Sequence, residues 1–193
     1  MSIARLMRMG AAGEAPATYA FVASSTSTNL ATITVPVDAQ SGDIAILFDT
    51  TATGVAAYPS GWTGIYQEDG TFETSVSYRV LGSGDAGSTV TGHTDTAYSV
   101  KIMLVFRPST AIATVTPSSV NSSGTQGALP PQQSIVVASP PALVLGMIRA
   151  YQAEPFVNET FWDGEIAETY NGVSVKAYYE IQNDVATNRT ITA

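Results

Sequence analysis

Apolar and polar residues alternate with a period of two along much of the chain. In 72–81, Phe72, Val76, Tyr78 and Val80 share one face, while Glu73, Ser75, Ser77 and Arg79 share the other. In 99–107 the inward set is Val100, Ile102, Leu104 and Phe106, and in 173–181 it is Val173, Val175, Ala177, Tyr179 and Ile181. Such alternation predicts antiparallel strands with one face packed and the other wet. Further strands are expected around 19–23, 31–37, 44–48, 134–138 and 143–149, where Thr, Val, Ile and aromatic residues concentrate between Gly and Pro breaks. Beyond residue 16 no helical stripe stands out. A dozen short strands with regular turn signals predict an all-β fold, an antiparallel β-sandwich of jelly-roll-like kind.

The pattern recurs. Trp62-Thr63-Gly64 returns 100 residues later as Trp162-Asp163-Gly164. Each is followed by a short strand and a hairpin dipeptide, Asp69-Gly70 and Asn171-Gly172, both suited to a type I′ turn. Ser88-Thr89-Val90-Thr91 is echoed by Arg189-Thr190-Ile191-Thr192. These echoes predict an internal pseudo-repeat of ~100 residues. The expected division is a short helical or extended N-terminal anchoring arm at 1–15, a first sandwich half at 16–116 and a shorter second half at 117–193. A counterpart of the apolar strand at 99–107 would start near position 200, past Ala193. The second half is thus expected to lack a strand, leaving an edge to be covered by the same chain or by a neighbour.

Composition narrows the chemistry. The 193 residues include no cysteine and one histidine, His93, which removes disulfides, thiolate chemistry and multi-histidine metal sites. Charged residues make up 12% and hydrophobic ones 45%, a balance that favours a folded chain. Eight basic against sixteen acidic residues give a net charge of −8, and Arg5 and Arg8 place two of the positive charges at the start. So acidic a body would repel a phosphate backbone, and no apolar run reaches the ~20 residues that span a bilayer. Neither nucleic acid nor membrane is an expected partner. No secretion signal is recognisable, and synthesis and retention in a cytoplasm are expected.

Candidate sites are few. Gly82-Ser83-Gly84-Asp85-Ala86-Gly87 fits the dinucleotide fingerprint, but the β-branched Ser88–Thr91 stretch follows where a helix is needed, so a glycine-rich hairpin loop is expected. His93 reads as a surface turn residue. Glu159, Asp163, Glu165 and Glu168 gather around Trp162, as sugar or calcium sites can, yet match no calcium-loop spacing. The Asn-x-Ser/Thr triplets at Asn121, Asn158 and Asn188 carry no information without secretion. No cofactor, metal or catalytic residue is expected. In the arm, Ile3, Leu6 and Met7 fall at i, i+3 and i+4, so a short helix would present one apolar stripe with Arg5 and Arg8 turned away. Alone it would be marginal, and it is expected to order against a partner surface.

The opening Met1-Ser2-Ile3-Ala4-Arg5-Leu6-Met7, then a small-residue linker and an all-β body, resembles virion structural proteins of tailed bacteriophages. So do Ser41-Gly42-Asp43-Ile44, Pro59-Ser60-Gly61-Trp62-Thr63, Ser77-Tyr78-Arg79-Val80 and Leu104-Val105-Phe106-Arg107, in that order. The resemblance implies a non-enzymatic role in the virion of a particle assembled in host cytoplasm, most simply as a capsid decoration or cement protein. Its arm, through Ile3, Arg5, Leu6, Met7 and Arg8, would then dock on the major capsid protein or a tail protein, with the chain repeated as a homo-oligomer in the particle. A tail fibre adaptor or other tail component is the nearest alternative. A carbohydrate-binding module stacking sugars on Trp62 and Trp162 is the alternative from another class.

Overall fold

The computed structural model describes residues 2–9, 18–51, 57–68, 73–93, 98–110, 115–122, 133–136, 142–151, 163–182 and 188–191. Every regular element among them is a strand. The first half carries β1 (Ser2–Met9), β2 (Tyr19–Thr28), β3 (Thr32–Thr34), β4 (Ile44–Thr51), β5 (Thr63–Glu68), β6 (Glu73–Val80), β7 (Thr89–Thr91) and β8 (Val100–Pro108). The second carries β9 (Val115–Ser122), β10 (Gln133–Val136), β11 (Ala142–Tyr151), β12 (Gly164–Tyr170), β13 (Val173–Gln182) and β14 (Asn188–Ile191). They form two five-stranded sheets, β2-β8-β4-β6-β5 and β12-β13-β11-β1-β9, and two ribbons, β3-β7 and β10-β14. All recorded pairings are antiparallel.

The alternating apolar positions explain the packing. Ile44, Ile46, Phe48, Val100, Ile102, Leu104 and Phe106 of the first sheet share one cluster with Leu143, Leu145, Met147, Val173, Val175, Ala177 and Tyr179 of the second. Each Val, Leu, Ile, Phe or Met among them stabilises the fold by about 1.5–3 kcal/mol when fully removed from water. Phe21 stacks on Tyr179 at 4.7 Å, and Phe106 meets Tyr179 edge-on at 5.3 Å, so aromatic contacts tie the sheets together. Thr26 Oγ1 adds a hydrogen bond across to Glu168 Oε1 at 2.7 Å. Burial, and secondarily the charge of Asp163, holds the Tyr179 phenol pKa above its ordinary value.

The expectation of one wet face is corrected for the first sheet. Its outer face carries a second cluster, in which Ala45, Leu47, Met103 and Val105 pack with Ile33 and Val90 of the β3-β7 ribbon and with Val35, Ala39, Trp62 and Leu81. Glu73, Ser75 and Ser77, expected on the solvent side, are therefore buried. The central strands β4 and β8 are covered on both faces, so their alternation marks two different dry layers rather than a dry and a wet one.

A second correction concerns the arm. Residues 2–9 form no helix but a strand within the chain's own second sheet, with Ser2–Arg8 in register with β11 and Ser2–Met9 with β9. A lone helical turn leaves most of its amides without partners, whereas a strand between two others uses both edges. At the β12–β13 hairpin, Asn171 and Gly172 adopt φ of 50° and 85°, the left-handed pair that a two-residue turn requires. The matching Asp69-Gly70 lies outside the described residues, as do Glu159 and Trp162.

Candidate functional site

Register brings one polar row across the first sheet. Gln67 faces Ser75, Ser75 faces Asp49, Asp49 faces Lys101, and Lys101 faces Ser27. At its centre the side chains of Asp49 and Lys101 are both 0% exposed, with Lys101 Nζ 3.1 Å from Asp49 Oδ1. The ammonium also donates to Ser99 Oγ at 2.5 Å, and Asp49 Oδ2 accepts the backbone N–H of His93 at 2.8 Å. Asp49 Oδ1 has the ion-pair contact but no aligned hydrogen bond.

Local sequence builds this arrangement. β4 and β8 are central strands, so charged side chains in them have no route to solvent and must meet each other. The chain passes over the pair at Gly92, whose N–H donates to Ala31 O at 2.9 Å. A Cβ at Gly92 would collide with the Asp49 carboxylate and crowd the Lys101 stem, which explains a glycine there. On the same face, one rung further along, Thr51 faces Glu73. Glu73 Oε2 is buried without a hydrogen-bond partner, and so are His93 Nε2 and Ser77 Oγ.

A buried ion pair is a poor stabiliser, because withdrawing two charges from water costs about as much as their attraction returns. The carboxylate and ammonium here are shut away from any external substrate. The chemistry open to them is therefore between their own side chains, in a dry setting that strengthens every charge and dipole.

Other candidates separate. Trp62 is 8% exposed and packed in the outer cluster, while Trp162, the other residue expected to stack sugars, lies outside the described residues. His93 is buried at 3%, not a surface turn residue. The glycine-rich loop ends in β7 rather than a helix, and Asp85 secures it by accepting Gly82 N–H at 2.7 Å and pairing with Arg79 at 3.1 Å. In the acidic cluster, Asp163 accepts Ile181 N–H at 2.6 Å, Glu165 pairs with Lys176 at 2.8 Å and Glu168 holds Thr26. No group of three or more His, Asp or Glu among the described residues could hold a metal ion. Arg107 grips Asp43 through two hydrogen bonds of 2.9 Å, which chiefly raise its guanidinium pKa and leave that fork occupied. Ile3, Arg5, Leu6, Met7 and Arg8 all lie in β1.

Asp49, Ser99, Lys101 and Glu73 were not singled out from sequence. The available signal was a lone lysine inside Val100-Lys101-Ile102-Met103-Leu104-Val105-Phe106 and an aspartate closing Ile44-Ala45-Ile46-Leu47-Phe48-Asp49. A charge inside an apolar strand calls for a buried partner. Searches against protein-family models, curated proteins and solved structures returned no match to this chain.

Proposed function

We propose that the chain is a structural building block of a virus particle, the role its resemblance to tailed-phage virion proteins implies, and that it works without catalysis on other molecules. The observation that carries this reading is the nesting of its strand pairs. In the first half, β2 pairs with β8, β3 with β7 and β4 with β6. In the second, β9 pairs with β1, β10 with β14 and β11 with β13. First-with-last winding of this kind is how a jelly roll is made, a fold much used in capsids. The two sheets follow one order, β2-β8-β4-β6-β5 and β9-β1-β11-β13-β12. We read them as two copies of one unit, a pseudo-repeat, joined across a shared sandwich core, with β1 taking in the second copy the place β8 takes in the first.

With β1 committed to this sheet, attachment to capsid or tail falls to the outer surfaces of the body rather than to a free arm. The test is stoichiometry: purified particles should contain the chain, in hundreds of copies for a capsid decoration and about a dozen for a tail component. Absence from particles under conditions that retain the other virion proteins overturns the reading.

A further inference from the structure

We propose that Lys101 and Asp49 join through an amide bond between Nζ and Cγ, a covalent rung fastening β8 to β4. This goes beyond the structural role above and does not depend on it. Amine and carboxylate already lie 3.1 Å apart on directly paired residues of adjacent strands. Groups held at ~3–3.5 Å react as if enormously concentrated, because the entropy of bringing them together has been met by folding. The site is dry, so moving one proton from Nζ to the carboxylate, which changes no net charge, gives the amine and acid that react. The His93 N–H on Asp49 Oδ2 draws electron density from Cγ and stabilises the oxyanion as it develops.

The sequence of steps balances. The Nζ lone pair forms a bond to Cγ, and the carboxyl oxygen on the His93 side takes up the charge. The proton that Nζ sheds passes directly to the other oxygen, Asp49 Oδ1, which lies 3.1 Å away. The C–O bond breaks and that oxygen leaves as water. Ammonium and carboxylate become amide and water, with no oxidant, reductant or activating group. Lys176 and Glu165 supply an internal control. They lie at 2.8 Å, but Glu165 is 42% exposed, so bulk water keeps that carboxylate solvated and the pair ionic.

Intact-mass measurement of the full-length chain decides the matter. The expected mass is one water below that of the sequence, and digestion should release a branched peptide containing Asp49 and Lys101. Lys101→Arg and Asp49→Ala should return the full mass. A wild-type chain at full mass overturns the proposal, as does a deficit that persists in Lys101→Arg. Failure to find the chain in particles would leave this mass unchanged, so the two readings fail separately.

Discussion

The two five-stranded sheets have one strand order but complete it differently. The first places β8 between β2 and β4, a strand from the same stretch of sequence. The second places β1 between β9 and β11, a strand more than a hundred residues away in the chain. Their outer faces differ as well. Ala45, Leu47, Met103 and Val105 give the first an apolar patch, set beside the Asp49–Lys101 rung and the buried polar side chains of Thr51, Glu73, Ser75 and Ser77. On β13 the corresponding row is Ser174, Lys176, Tyr178 and Glu180, buried yet polar throughout. One pattern of backbone pairing thus tolerates two sources for a central strand and two chemistries for the covering layer. What specifies the fold is the inner apolar cluster, which both sheets share.

Removing residues 2–9 is the strongest way to break the equivalence. Their loss would separate β9 from β11 and strip the pairing from both. A domain's net stability is only ~5–15 kcal/mol, so losing a central strand should abolish the cooperative unfolding of the second sheet. Hydrogen exchange would check this, with protection expected to vanish in β9, β11 and β13 and to persist in β4 and β8. Unaltered protection in β11 would mean that residues 2–9 contribute little to that sheet, and would revive a free arm.

The next largest effect tests the rung. Lys101→Met fills the same apolar neighbourhood but strands the Asp49 carboxylate, which should cost about 3–5 kcal/mol in denaturant unfolding, in addition to any loss from the covalent link. A shift below ~1 kcal/mol would place the pair among interactions of the solvent-exposed kind.

Much of this architecture was legible before the structure. Alternation placed β6, β8 and β13, and the Thr- and Val-rich stretches placed β2, β3, β4, β10 and β11. The reason is that period-two patterning is a local property, enforced wherever a strand has two different faces. Which layer covers each face is not local. Nothing in Glu73-Thr74-Ser75-Val76-Ser77 announces that the β3-β7 ribbon and Trp62 will bury its polar side. Ile3, Leu6 and Met7 gave a helical spacing that was true of the sequence and irrelevant to the fold, because pairing on both edges outweighs the weak preference of a few residues. The expected gap near position 200 followed from the sequence echoes alone; in the second sheet, β1 from the start of the chain lies between β9 and β11. His93 and the Asp49–Lys101 pair escaped for a related reason, since only the crossing of three separate segments encloses them.

The smallest expected effect sharpens the contrast between the two lysine–carboxylate pairs. Lys101–Asp49 and Lys176–Glu165 have similar lengths, 3.1 and 2.8 Å, so distance alone would rank the second as stronger. Exposure reverses that ranking. Glu165 sits on β12, the outermost strand of its sheet, and keeps 42% of its side chain in solvent, while Lys176 is nearly buried and also lies 5.3 Å from the Tyr178 ring centroid. Glu165→Gln preserves the shape and a hydrogen-bond acceptor, and the ammonium retains the aromatic face, so the change in stability should stay within ~1 kcal/mol and shrink further in high salt. Denaturant midpoints at low and high ionic strength would measure it. A loss comparable to that of Lys101→Met would show that Lys176 depends on Glu165 alone, and the difference drawn here between a sealed pair and a wet one would have to be abandoned.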